Sequence, residues 1–193
     1  MKNLILMLCF IYMTIIIAPF AYAKNNDTES QVKQVNSKII RLSDSTGLVY
    51  VGAEIAPADV AIYLKQLKNK LGEQQFKLFR SNQIARDQQG FHVTLINPFE
   101  YKKLINNKQK VTLGQTIAIT LQGLGKVATT VVNVASHASK QDNTQSYFVI
   151  VSSFEGEKFR QHYGLKAKDF HATLGFNPHD IYTLSKGIER LVK

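Results

Sequence analysis

Cysteine is almost absent from this chain: among 193 residues there is one, Cys9. It lies inside an apolar run, Leu4 to Ala18, that follows Met1-Lys2-Asn3 and precedes Pro19-Phe20-Ala21-Tyr22-Ala23. A short positive start, an apolar middle and a small-x-small ending describe a secretory signal peptide over residues 1–23, with cleavage expected after Ala23. The run is short for a bilayer span of about 20 residues, so no stable membrane insertion is expected after cleavage. Leu8 stands where a lipoprotein cysteine needs a small residue, which argues against Cys9 as a lipid anchor. Once Cys9 has left with the leader, disulfides and thiolate chemistry are excluded. The expected location is periplasmic or secreted.

Other absences narrow the chemistry. The chain has no HExxH helix, no GxSxG elbow and no GxxxxGK[ST] loop. Gly123-Leu124-Gly125-Lys126 lacks the phosphate-loop spacing and reads as a turn. His162, His171 and His179 are conceivable metal ligands, but no cysteine or HExxH pattern accompanies them. His137 sits in a polar stretch and reads as solvated. No dense basic block appears, although the formal charge is +10, one less after removal of Lys2. That excess favours anionic partners such as nucleotides, nucleic acid or an anionic membrane surface, and serves solubility equally well.

What is present is a tetrapeptide that occurs twice, His92-Val93-Thr94-Leu95 and His171-Ala172-Thr173-Leu174. Both copies follow a phenylalanine (Phe91, Phe170), and both lead to Asn-Pro (Asn97-Pro98, Asn177-Pro178). Each lies in a β-rich run, and residues two apart on a strand share a face. A His and a Thr would therefore stand together, with Leu95 and Leu174 turned to the core. One such match is weak evidence; duplication of the whole context is not a chance event.

Residues 24–37 are polar and read as a flexible lead-in. Regular structure is expected from Lys38, and residues 38–193 suit a single domain with a sizeable core. Gly47–Ile55 reads as a strand. A helix opens at Pro57 and carries Val60, Leu64, Leu67 and Leu71 on one face until Gly72. Arg80–Gln89 reads as a polar loop, with Arg80 and Arg86 either solvated or facing phosphate. Gly90–Ile96 is a strand, and Glu100–Asn106 a short helix. Thr116–Leu121 and Ala128–Val134 read as two strands joined by a turn at Gln122–Gly125. A loop at Ser136–Gln145 leads to a strand at Ser146–Ser152. A helix over Glu155–Tyr163, a strand over Asp169–Phe176 and a closing helix with Ile181, Leu184, Ile188 and Leu191 on one face complete the order. Strands interspersed with helices and hairpins predict an α+β fold with mainly antiparallel sheet.

An imidazole titrates near neutral pH, so a pair of them can supply both base and acid. One would take a proton from water while the other protonates a departing ribose oxygen, each worth about 10²–10⁴ in rate. The threonine hydroxyls, about 7 Å along the strand from their histidines, would hold the non-bridging phosphate oxygens. No metal or other cofactor is needed in this scheme. Tyr101 and Tyr182 follow the two motifs at similar distances and are candidates to stack on a base, set against simple packing of an amphipathic ring.

The segments Phe91–Ile96 and Phe170–Phe176 resemble the 2H phosphoesterase superfamily, named for two His-x-Thr motifs in one chain. The second copy, with Asp180-Ile181 after it, looks like the branch of RNA-repair-type and tRNA-ligase-associated members. The resemblance implies a bilobal, pseudo-twofold α+β fold with flanking helices and a central cleft lined by the two motif strands. It implies metal-independent hydrolysis of 2′,3′-cyclic phosphates or related phosphodiesters, with His92, Thr94, His171 and Thr173 as the positions that carry over. The expected partner is thus a nucleotide or RNA-end phosphoester, met by a monomer. A tRNA-processing role suits a cytosolic protein, so the leader leaves the substrate open. The alternative is a nucleotide- or RNA-binding protein of the cell envelope that turns nothing over.

Overall fold

A computed structural model describes residues 32–88, 90–135 and 138–193. Residues 1–31, which hold the expected signal peptide and most of the expected lead-in, and His137 lie outside the described residues. The first strand, β1 (Lys33–Ser43), turns at Asp44 into β2 (Val49–Ile55). The Asp44 carboxylate accepts from the Thr46 and Leu48 amides at 2.8 and 3.0 Å, and Gly47 takes the positive φ of 82° that closes the turn. Helix α1 (Pro57–Asp87) starts on a proline, whose fixed φ suits a first helical turn. It is interrupted at Gly72, whose φ of 74° no helix accepts. Then come β3 (Phe91–Ile96), α2 (Pro98–Asn106), β4 (Thr116–Ala135), β5 (Ala138–Ser152), α3 (Phe154–His162) and β6 (Phe170–Asn177). Asn97 and Glu100 form a reciprocal capping box on α2, and Ser153 caps α3.

All six strands join one antiparallel sheet in the order β3-β2-β1-β4-β5-β6. The second half of β1 pairs with β2 and its first half with β4. The expected α+β class holds, with one continuous sheet in place of separate ones. Its main core lies on one face, where Val51, Ala53, Val93, Leu95, Ile119, Leu121, Val149, Ala172 and Leu174 meet Val60, Tyr63 and Leu67 of α1. Burying each large apolar side chain is worth about 1.5–3 kcal/mol, which is how a chain without disulfides holds together.

Five local expectations are corrected. The sheet begins at Lys33 rather than Lys38, because residues 33–38 pair with β4 despite their polarity. Arg80–Asp87 is helix rather than loop: Phe79 and Gln83 are buried, and polar neighbours bond to the sheet instead of water. Gln122–Gly125 is no turn. β4 runs straight through it with a bulge between Leu121 and Gly123, and β5 is paired from Ala138 onward, so the expected loop is strand. The closing helix is only a 3₁₀ turn at Ile188–Arg190. There Ile181 and Leu184 pack on the sheet while Lys186 is drawn into a buried ion pair.

Candidate active site

The two motif strands stand at opposite ends of the sheet order, yet they touch each other. Side chains rather than a backbone ladder bridge them. Arg80 donates to the Leu174 carbonyl at 2.7 Å while its guanidinium lies 4.8 Å from the Phe91 ring centre. At the other end, buried Arg160 donates to the carbonyls of Leu95 and Lys166 and pairs with Glu100. Phe91 thus sits beside Leu174, and Leu95 beside the approach to Phe170, so the strands run in opposite directions.

Strand parity is as expected. Phe91, Val93 and Leu95, like Phe170, Ala172 and Leu174, are in the core. His92, Thr94, His171 and Thr173 alternate with them on the opposite face, the first three half-buried and Thr173 buried.

Around His92, β2 supplies the neighbours: Glu54 pairs with His92 and Gly52 with Thr94. The Tyr50 ring is tilted against the imidazole at 5.2 Å, and its hydroxyl is 3.2 Å from Nε2. A Cβ on Gly52 would come within 2.9 Å of a Leu42 methyl and 3.0 Å of the Val93 carbonyl, so a side chain here must push back its neighbours, the Val93 backbone among them.

Around His171, β5 supplies Ile150 opposite His171 and Phe148 opposite Thr173. The Phe148 ring meets the imidazole edge-on at 5.6 Å and lies over Gly125 of β4, where a Cβ would enter the ring. Val127, Phe148, Ile150 and Ile181 form a second apolar cluster on this face. The His171 Nδ1 is buried and makes no hydrogen bond of good geometry. The backbone of Asp169 is near enough to favour its protonated form.

Beside Thr173 lies a buried charge network. The Asp180 carboxylate accepts from Lys186 Nζ at 2.8 Å, from Arg86 Nη1 and from the Ile181 amide, and stands 3.4 Å from the Thr173 hydroxyl. Arg86 also grips Asp87 with two bonds, at 2.7 and 2.8 Å, and donates to the Tyr182 hydroxyl at 3.2 Å. It is neither solvated nor free for phosphate, because two carboxylates hold it.

Burial sets the titration behaviour. It pushes His92 down to about 4, the Asp87 carboxylate opposing and Arg86 reinforcing the shift. His171 is also held well below the ordinary imidazole value, by burial and then by the Lys186 and Lys168 ammonium groups. Burial pulls Asp180 upward, but Lys186 and Arg86 outweigh it and keep the carboxylate ionised. Lys168, half-buried before β6, is pushed down to about 8 by burial and by Arg160.

Of the two tyrosines singled out from sequence, Tyr182 reaches this face. Its ring is 77% exposed, its hydroxyl is tethered by Arg86, and Lys186 lies 5.9 Å from its centre. Tyr101 does not: it is half-buried on α2 and packs against the main core. His162 lies on α3, lining a recess of about 530 Å³ with Thr112, Phe154, Lys158 and Tyr163, to which no motif residue contributes. His179 is exposed. Among the described residues no three His, Cys, Asp or Glu side chains group as a metal ion would need, so His162, His171 and His179 do not form a centre. Sequence reasoning missed Tyr50, Phe148 and Lys186. The one available signal was parity in Val49–Ile55, which puts Tyr50 on the face of Gly52 and Glu54.

An open α+β sheet whose two end strands meet, each presenting a His-x-Thr pair on the same face, is the frame of a two-histidine phosphoesterase. The family model described as the Swiss Army Knife 2H phosphoesterase domain matches residues 56–182. The chain belongs to the 2H phosphoesterase family, hydrolases that act on phosphodiesters. No curated protein and no solved structure matches it. Tyr50 and Lys186 fall outside the matched residues.

Proposed function

We propose that the chain is an exported phosphodiesterase that hydrolyses 2′,3′-cyclic phosphates or related nucleotide and RNA-end phosphodiesters with its own side chains as acid and base. The observation that carries this reading is the contact between β3 and β6, with both His-x-Thr pairs on one face. The phosphodiester lies between the strands, its non-bridging oxygens toward Thr94 and Thr173. One neutral imidazole of the His92–His171 pair takes a proton from water as the new P–O bond forms. The other, as imidazolium, protonates the ribose oxygen as the old P–O bond breaks. Burial keeps both rings neutral in the resting protein, and an incoming anion favours the imidazolium of the ring it meets. The tethered, exposed ring of Tyr182 offers a face for the base. Export rests on residues 1–23, and mature protein is expected to begin at Lys24 on N-terminal sequencing.

The test is turnover of 2′,3′-cyclic nucleotides with a chelator present. Activity is expected in the wild type and is lost in His92→Ala and in His171→Ala. Wild-type turnover in both variants overturns the mechanism, and activity abolished by chelator alone points to a metal centre.

A further inference from the structure

The histidine on β3 has a partner that its counterpart on β6 lacks. Tyr50 is 7% exposed, and its hydroxyl, 3.2 Å from His92 Nε2, has no other hydrogen-bond partner among the described residues. The contact involves the ring as well as the hydroxyl, with the Tyr50 ring centre 5.2 Å from that of the imidazole. Gly52, two residues on and on the same face, puts no side chain beside His92, where a Cβ would sit 3.6 Å from that of His92. The phenol keeps its proton, since burial and the Asp87 carboxylate push its ionisation up, with Arg86 opposing. The charged groups that face His92 are Asp87 and Arg86 from α1 and, at the paired position of β2, Glu54. The bond can run either way with the tautomer, but only with the O–H donating to the ring nitrogen does this buried phenol proton have an acceptor among the described residues.

We infer that Tyr50 is a positioning residue for His92, its hydroxyl donating to Nε2 so that the ring is held in one orientation with its proton on Nδ1. The inference rests on the proposed phosphodiesterase reading only for its effect on rate. With Nε2 filled by Tyr50, neutral His92 has no lone pair left for water. Within that reading His171 is then the base, and His92, once protonated at Nε2, is the acid that gives its Nδ1 proton to the ribose oxygen. The tautomer itself belongs to the resting protein. Because a hydrogen bond donated to the neutral ring disfavours the imidazolium, losing it raises the His92 pKa.

Imidazole ¹⁵N NMR of the wild type near pH 7 is expected to show His92 protonated at Nδ1. In Tyr50→Phe, which keeps the ring, that preference is lost and the His92 midpoint moves up while His171 is unchanged. Turnover of a 2′,3′-cyclic nucleotide falls about ten-fold with KM within about two-fold, as expected when a reacting group loses its alignment. A wild-type His92 protonated at Nε2 overturns the inference without any variant. So does a folded Tyr50→Phe with unchanged His92 signals and turnover. If His171→Ala is inactive while Tyr50→Phe is fully active, only the role of Tyr50 is discarded. If His92→Ala and His171→Ala both remain active, it is the phosphodiesterase reading that goes.

Discussion

The two ends of the sheet carry the same motif in unlike surroundings. At the β2–β3 end, His92 meets a phenol hydroxyl and faces Glu54 across the ladder. At the β5–β6 end, His171 meets the bare ring of Phe148 and stands opposite Ile150, with Asp180, Lys186 and Arg86 buried nearby. Both ends have a glycine beside the motif, but for different reasons: Gly125 lies under the Phe148 ring, whereas Gly52 is hemmed in by Leu42, the Val93 carbonyl and the Cβ of His92. Position of the imidazole is thus duplicated, while the means of holding it is not. One ring is fixed by a hydrogen bond and the other by apolar packing among charges. Two identical imidazoles can then behave differently, as acid/base chemistry requires of such a pair.

The comparison breaks most sharply if the histidines are not equivalent in importance. Alanine at either position should lower kcat on a 2′,3′-cyclic nucleotide by about 10²–10⁴; an effect at one end only would make the second motif structural. Next in size is Asp180→Ala, which strands Lys186 in the interior without its counter-charge. It should cost about 3–5 kcal/mol in a denaturant melt, whereas Glu54→Ala, an exposed change at the other end, should cost under about 0.5 kcal/mol. Gly52→Ala should cost about 1–3 kcal/mol, since its methyl meets the Val93 backbone as well as Leu42.

Acid should act on both ends together. His92 and His171 titrate below their unfolded value of about 6.5. Between the folded and unfolded values the unfolded chain binds more protons. Stability is therefore full above about pH 7 and falls as the pH drops, by on the order of 1–2 kcal/mol for His92 by pH 5, with His171 acting in the same direction. Melting temperatures at pH 7 and pH 5 measure it, and a flat profile would contradict the burial of both rings. Because the acid partner must be protonated, kcat/KM should also peak below pH 6.5. The smallest effect separates the two tyrosines. Tyr182→Ala should raise KM about five- to ten-fold, the low end of the worth of one stacked base, and Tyr101→Phe should leave KM alone.

Much of this was legible in the sequence, and the exceptions share a cause. The motif strands and their parity follow from period and turn residues, whereas Asn97-Pro98, read as a turn, proves to be the cap and first residue of α2. The second half of α1 was hidden because Arg80, Asn82 and Gln83 look solvated, yet they donate to the carbonyls of Leu174, Phe176 and Gly90. Gly123 and Gly125 read as a turn, yet one sits at a bulge and the other under a ring. His92, Thr94, His171 and Thr173 could be named from the repeat itself. Tyr50 and Lys186 could not, since strand register brings one to the site and a buried ion pair brings the other.

The bridging of β3 and β6 by side chains has a consequence for the protein among its neighbours. Both motif strands are sheet edges, and an edge with open carbonyls is a template on which another chain can add a strand and begin to aggregate. Arg80 and Asn82 occupy carbonyls of β6, and Arg160 occupies one on β3. Arg80 and Arg160, which keep the strands side by side without zipping them together, thus also act with Asn82 as gatekeepers against misassembly, leaving fewer open carbonyls for an incoming strand.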